Sequence, residues 1–123
     1  MKKILILDDD PDFAELMKTR LEANNYDITT ASGGKDFFEK ISNDLPDIIL
    51  VDILMPDING YQVCEALKDS KSTAGIPVII LTGQDLEHDG IVNRCLKIGV
   101  EAFLSKPVDT QELLTTIERL LQK

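Results

Sequence analysis

Five short apolar runs, separated by segments whose apolar residues recur at helical spacing, constrain the fold of this 123-residue chain most strongly. The runs cover residues 4–7, 28–31, 48–51, 78–81 and 102–104. Most are almost continuously apolar, which is typical of parallel strands covered by helices on both faces. The run at 28–31 is more polar and alternates, which favours a place near the edge of a sheet. The pattern predicts one doubly wound α/β domain with five strands.

The segments between the runs carry helix signals. Asp10 predicts the N-cap of the first helix, with Pro11 at its first position. Asp109 and Glu112 have the spacing of a capping box that opens the last helix. The fourth helix is predicted from residue 85 to about residue 98, although Gly90 inside it costs about 1 kcal/mol relative to alanine.

Composition indicates which partners the chain is expected to avoid and in which compartment it is expected to lie. The formal net charge is −9, so the surface repels phosphate backbones and direct binding to nucleic acid is not expected. The chain has neither a run long enough to span a membrane nor the apolar stretch of a signal peptide, which favours the cytoplasm. Cys64 and Cys95 lie among apolar neighbours and are predicted to be buried, reduced thiols.

Chemically useful side chains follow four of the runs. Asp8 and Asp9 follow the first run, Asp52 follows the third, Thr82 follows the fourth and Lys106 comes two residues after the fifth. The carboxyl ends of parallel strands lie along one edge of an open α/β sheet, so these groups are predicted to converge. A lone carboxylate at the end of a buried strand is costly unless a charged or hydrogen-bonding group meets it.

This set resembles the receiver domain of two-component response regulators over residues 2 to about 121. The residues that carry the resemblance are Asp8, Asp9, Asp52, Met55-Pro56, Gly60, Thr82, Phe103 and Lys106-Pro107. The resemblance implies that residues 1–123 form one receiver domain. It also implies a flavodoxin-like, three-layer α/β/α fold with strand order 2-1-3-4-5. Both a stand-alone receiver and part of a longer protein with an output domain stay open.

The resemblance also implies a phosphoryl-transfer site. Asp52 would be the phosphoacceptor, supplied by a sensor histidine kinase or a histidine phosphotransfer protein. Because a phosphoryl group and a carboxylate repel each other, Mg²⁺ would offset their charge. Asp9, Asp52 and the backbone carbonyl of Leu54 would bind the ion directly, and Asp8 would act mainly through a bound water.

Further roles follow from the same resemblance. Lys106 would pair with the phosphoryl oxygens and join Pro107 through a cis peptide bond. Thr82 would hydrogen-bond the phosphoryl group, and Phe103 would occupy a switch position. The face formed by the fourth helix, fifth strand and fifth helix would then bind a downstream protein or a second copy of the chain. Such a domain is not a separate enzyme, although it assists its own phosphoryl transfer and hydrolysis.

Plainer interpretations stay open for several of these residues. Thr82 could be a strand-end threonine exposed to water, and Phe103 could be a core residue. Asp8 and Asp10 superficially match an aspartate-nucleophile phosphatase of the haloacid dehalogenase type, in which Asp8 would be the nucleophile. The chain could also be an interaction module that is never phosphorylated. Leu54 and Gln84 are poor at orienting water, which predicts a phosphoryl group that is not especially short-lived.

Overall fold

The computed structural model describes residues 1–83 and 90–122. Within these ranges, five strands alternate with five helices. The strands are β1 (Lys3–Leu7), β2 (Asp27–Ala31), β3 (Ile48–Asp52), β4 (Val78–Thr82) and β5 (Ala102–Ser105). The helices are α1 (Pro11–Glu22), α2 (Gly34–Asn43), α3 (Gly60–Asp69), α4 (Ile91–Ile98) and α5 (Thr110–Leu121).

The strands form one parallel sheet in the order β2-β1-β3-β4-β5, which confirms the predicted fold. Every residue of β3 and β4 is buried, as expected for central strands covered on both faces. The strand β2 exposes Asp27 and Thr29, which agrees with its predicted place at an edge.

The core consists of two clusters, one on each face of the sheet. Alternation along β1 divides its side chains, so that Leu5 and Leu7 join one cluster and Ile4 and Ile6 join the other. The first cluster includes residues of α2, α3 and α4, and the second includes residues of α1 and α5. The three layers are therefore α2-α3-α4, the sheet, and α1-α5.

Both cysteines belong to the first cluster, and both are buried free thiols, as predicted. Burial is the main cause that raises the pKa of Cys64 to about 12. The pKa of Cys95 is also raised, again chiefly by burial. These thiols therefore stay protonated at neutral pH and behave as small apolar side chains.

Two helices begin where the sequence predicts. Asp10 caps α1 by accepting hydrogen bonds from the N–H groups of Asp12 and Phe13, at 3.0 and 3.3 Å. Asp109 caps α5 by accepting from the N–H group of Gln111 at 2.9 Å. Each aspartate satisfies helix N–H groups that have no carbonyl partner within the helix.

The prediction that the fourth helix continues through Gly90 is wrong. In the structure α4 begins at Ile91, and Gly90 precedes it with a φ of 68°. A residue in this left-handed conformation cannot lie inside a right-handed helix. Gly90 is therefore the N-cap rather than an interior residue, and residues 85–89 lie outside the described part of the chain. Within residues 1–83 and 90–122, no helix combines the length and apolar character needed to cross a membrane.

A lysine network joins the elements at the amino ends of β4 and β5. The ammonium of Lys68 lies 2.9 and 3.0 Å from the two carboxylate oxygens of Glu101. It also donates to the carbonyls of Ala74 and Ile76, at 3.3 and 3.2 Å. Glu101 in turn accepts from the N–H group of Val78 at 2.8 Å. The network ties the end of α3 to the starts of both strands.

Candidate functional site

Three aspartates meet at the carboxyl ends of β1 and β3. The two strands are neighbours in register, with Leu7 opposite Val51, so the residues that follow them emerge side by side. One carboxylate oxygen from each of Asp8, Asp9 and Asp52 lies within 4.8 Å of the other two. Asp8 and Asp52 are only 2% and 8% exposed, while Asp9 is exposed. The sheet therefore brings together the acids that the sequence singled out.

Lys106 reaches this cluster from the end of β5. Its ammonium donates to Asp8 Oδ2 at 2.7 Å and lies 3.7 Å from Asp52 Oδ2. Its backbone N–H donates to the carbonyl of Thr82 at 2.7 Å. The peptide bond between Lys106 and Pro107 is cis, the geometry that the resemblance implied. One ammonium thus contacts two of the three clustered carboxylates, and the cluster keeps an excess of negative charge.

Burial and the neighbouring charges make Asp52 a weaker acid than an ordinary aspartate, with a raised pKa. Burial is the first cause that raises its pKa above the ordinary value, and the charges of Asp8 and Asp9 raise it further. Lys106 and the backbone N–H of Ile53 oppose this rise without cancelling it. A divalent cation bound among the carboxylates would favour the charged form and reverse the effect.

The donor set suits a hard metal ion. Three carboxylate oxygens that lie close together at a partly exposed edge are the ligands that Mg²⁺ prefers, with water completing an octahedron. Asp8 makes two hydrogen bonds: Oδ1 accepts from the N–H of Asp10 at 2.9 Å, and Oδ2 accepts from Lys106. Its carboxylate is thereby fixed in orientation.

The remaining predicted residues lie around this cluster. Thr82 ends β4 opposite Ser105 and is only 1% exposed, so the interpretation as a water-exposed threonine is wrong. Phe103 lies in the middle of β5, half-buried against the cluster that includes α2, α3 and α4. That position fits both a core residue and a switch. Leu54 is 58% exposed, and Gln84 lies outside the described residues.

Two neighbours of the site were missed from sequence. The ammonium of Lys106 lies 4.1 Å from the centroid of the Phe13 ring, a cation–π geometry. Asp57, five positions after the acceptor, accepts from the N–H of Gly34 at 2.8 Å. The sequence carried a signal for the second contact only, because the turn before α2 offers Gly33 and Gly34 but no capping side chain.

The family model of the response regulator receiver domain matches residues 4–118 of this chain. Two curated relatives match along almost its whole length. Response regulator SaeR of Staphylococcus aureus is 37% identical, over 100% of this chain and 52% of the relative. The alkaline phosphatase synthesis transcriptional regulatory protein PhoP of Bacillus subtilis is 31% identical, over 99% of this chain and 49% of the relative. The chain therefore spans about half the length of these relatives.

A solved structure agrees with the sequence matches. The signal receiver domain of a signal transduction histidine kinase from Syntrophus aciditrophicus superposes with a TM-score of 0.90 and 34% identity. The superposition covers 99% of this chain and 91% of that one. The similarity therefore extends over the whole sheet and its helices.

Proposed function

Because this chain belongs to the response regulator receiver domain family, we propose that residues 1–123 act as a Mg²⁺-dependent phosphoacceptor in a His-to-Asp phosphorelay. The observation that carries the proposal is the cluster of Asp8, Asp9 and Asp52, in which Lys106 contacts Asp8 and Asp52. A buried carboxylate beside a cation site and an ammonium is the arrangement that phosphoryl transfer to aspartate needs.

In this proposal Asp9, Asp52 and the backbone carbonyl of Leu54 hold Mg²⁺ directly, and Asp8 holds one of its water ligands. The ion supplies the positive charge that lets a phosphoryl group approach a carboxylate. Asp8 also holds Lys106 at 2.7 Å, within reach of the acceptor. The protein residues therefore set the position of both cations that the transfer requires.

The proposed step is an in-line displacement at phosphorus. One carboxylate oxygen of Asp52 attacks, a P–O bond forms, and the bond from phosphorus to the donor's histidine nitrogen breaks with its electron pair on that nitrogen. Lys106 needs to shift little to pair with the phosphoryl oxygens, since it already lies 3.7 Å from Asp52. Thr82, at the adjacent strand end, donates its hydroxyl to the new group.

We propose that phosphorylation changes the conformation of the domain through Thr82 and then Phe103. Movement of the Thr82 hydroxyl toward the phosphoryl group frees space into which the half-buried Phe103 turns. The two conformations differ in their interaction with the phosphoryl group, and that difference sets how far the equilibrium shifts. The face of α4, β5 and α5 would then bind a downstream protein or a second copy of the chain.

The partner that supplies the phosphoryl group is a sensor histidine kinase or a histidine phosphotransfer protein. The chain is proposed to assist its own phosphorylation and hydrolysis rather than to turn over a separate substrate. The exposed Leu54 side chain has no group that orients an attacking water. The phosphoryl group is therefore expected to persist longer than with a polar residue at this position, which Leu54→Asn would test.

Intact mass after incubation with acetyl phosphate tests the proposal. Wild type should gain one phosphoryl group only when Mg²⁺ is present, and Asp52→Asn should gain none. An adduct that survives in Asp52→Asn and is lost in Asp8→Asn would move the nucleophile to β1 and support the phosphatase-like alternative. No adduct in any sample would support an unphosphorylated interaction module.

A further inference from the structure

We propose that Asp57 is a positioning residue for the metal site. Its carboxylate bonds the start of α2 to the loop between β3 and α3, which contains Leu54. This bond would hold the backbone carbonyl of Leu54 in position to coordinate Mg²⁺. The inference rests on the proposed function, because it concerns one ligand of the proposed ion.

The start of α2 lacks a cap of its own. Its N-cap residue is Gly33, which has no side chain to accept from the first N–H groups of the helix. Asp57 Oδ2 accepts from the N–H of Gly34 at 2.8 Å and so caps the helix from another part of the chain. A carboxylate is also favoured there because the amino end of a helix carries partial positive charge.

The two segments approach so closely that a side chain on either glycine would displace a side chain of the loop. A Cβ atom on Gly33 would lie 2.8 Å from Asp57 Oδ2, and one on Gly34 would lie 3.0 Å from Ile58 Cγ2. Gly33 has extended backbone, with a φ of −160°, that any residue adopts. Gly33 therefore leaves space for the Asp57 carboxylate, which a larger side chain would displace.

The loop between β3 and α3, residues 53–59, has no helix or strand of its own. At its α3 end the N–H of Gly60 donates to the carbonyl of Ile53 at 2.8 Å, and Asn59 accepts from the N–H of Tyr61 at 2.8 Å. Leu54 lies between these contacts with its own side chain 58% exposed, so its neighbours Ile53 and Met55, rather than Leu54 itself, pack against the core. The Asp57 bond supplies the tie to a second element.

Mg²⁺ affinity, measured by calorimetry without a phosphodonor, tests the inference. Asp57→Ala should weaken binding on the order of tenfold, the lower range for groups that orient a metal ligand. Asp57→Asn keeps an acceptor oxygen and should restore binding to within about threefold of wild type. Asp57 is exposed, so neither change leaves a cavity.

Asp47→Ala is the matched control. Asp47 also accepts a backbone N–H from a distant segment, that of Lys3, at 2.8 Å, but at the opposite edge of the sheet. Its loss should lower stability comparably while Mg²⁺ affinity stays within about twofold of wild type. Hydrogen–deuterium exchange of residues 53–59 without Mg²⁺ should be faster in Asp57→Ala than in Asp47→Ala.

Gly33→Ala perturbs the same contact from the other side. The added Cβ displaces the carboxylate but keeps its charge, so Mg²⁺ binding should weaken, and Asp57→Ala should add little to it. Unchanged affinity in Asp57→Ala, or equal weakening in Asp47→Ala or in Asp57→Asn, would overturn the inference. Absence of Mg²⁺ binding by wild type would instead overturn the proposed function, and this inference with it.

Discussion

The two ends of the sheet each hold a lysine bound to carboxylates, but with different charge balance. At the amino ends of β4 and β5, Lys68 meets one carboxylate, that of Glu101, and two backbone carbonyls. At the carboxyl ends, Lys106 meets Asp8 at 2.7 Å within a cluster of three carboxylates. The hydrogen-bond lengths are similar, so geometry alone does not distinguish the two ends.

Charge balance does distinguish them. The ion pair of Lys68 and Glu101 has no net charge, and the ammonium has acceptors for its N–H groups. This balance suits a lysine whose role is to connect α3 with β4 and β5. The Lys106 cluster keeps excess negative charge at a partly exposed edge where Asp8 and Asp52 are buried, and the pKa of Asp52 is raised, first by burial and then by its acidic neighbours. Such an arrangement costs stability unless a cation joins it, which is why we assign function to this end.

Replacing Lys106 or Lys68 by methionine should show the largest difference between the two ends of the sheet. Lys106→Met should slow phosphorylation by acetyl phosphate about 100-fold, because one donor to the developing phosphoryl charge is lost. Lys68→Met should leave the rate within about twofold of wild type. Intact mass against time measures both rates. Equal loss of rate in the two variants would contradict the division between the ends.

Replacing Lys68 should instead affect stability. Lys68→Met leaves the partly buried Glu101 carboxylate and two carbonyls without their donor, and should lower the free energy of unfolding by about 1–2 kcal/mol. Urea unfolding measures this loss. Glu101→Gln with Lys68→Met should lose less than the two single changes combined, since the groups share one network. An unaffected Lys68→Met variant would show that the network contributes nothing.

Asp52→Asn should raise stability at neutral pH without Mg²⁺. The native-state pKa of Asp52 is above the ordinary value, so its charged form opposes folding when both states are ionised. As pH falls through the raised native pKa, native Asp52 takes up a proton and the advantage of the variant shrinks. It should vanish below the ordinary aspartate pKa, where both states are protonated.

Thermal unfolding from neutral to acidic pH, with and without Mg²⁺, measures this effect. Mg²⁺ should reverse the order, because the ion stabilises only the chain that keeps its carboxylate. Mg²⁺ should not change the order of stability of wild type and Asp47→Asn, a variant at the other end of the sheet. A variant less stable than wild type at neutral pH without Mg²⁺ would mean that Asp52 carries no unfavourable charge.

Phe13→Leu should have the smallest effect. The change keeps an apolar side chain but removes the ring 4.1 Å from the Lys106 ammonium, worth about 0.5–1 kcal/mol at a partly exposed site. Phosphorylation should slow about two- to fivefold. Leu16→Ala, on an exposed position of the same helix, is the control and should not change the rate. A larger loss in Leu16→Ala would contradict a role for the ring.

The sequence was enough to predict features that depend on a single strand and the residues that directly follow it. The apolar runs predicted the sheet, and the acids after the runs at 4–7 and 48–51 predicted the cluster, because parallel strands share an edge. Strand order came from the resemblance to receiver domains. Asp10 and Asp109 predicted the starts of α1 and α5, because an N-cap residue directly precedes the helix that it caps.

The rest depended on contacts between distant segments. Asp57 caps a helix from another loop, and Phe13 meets Lys106 from another strand–helix unit. The glycine turn before α2 indicates a helix without a cap of its own, but no local pattern names the residue that supplies the cap. Gly90 was placed inside α4 because periodicity does not reveal a positive φ. These three features lie around the carboxyl edge, where loops rather than regular elements position the side chains.

Chemical mapping of the phosphoryl group tests the central claim most directly. Borohydride reduces an acyl phosphate to an alcohol, so reduction after treatment with acetyl phosphate and Mg²⁺ leaves a homoserine that peptide mass locates. The account predicts reduction at position 52 alone, and none without Mg²⁺. Reduction at position 8, or an adduct that borohydride does not reduce, would contradict it.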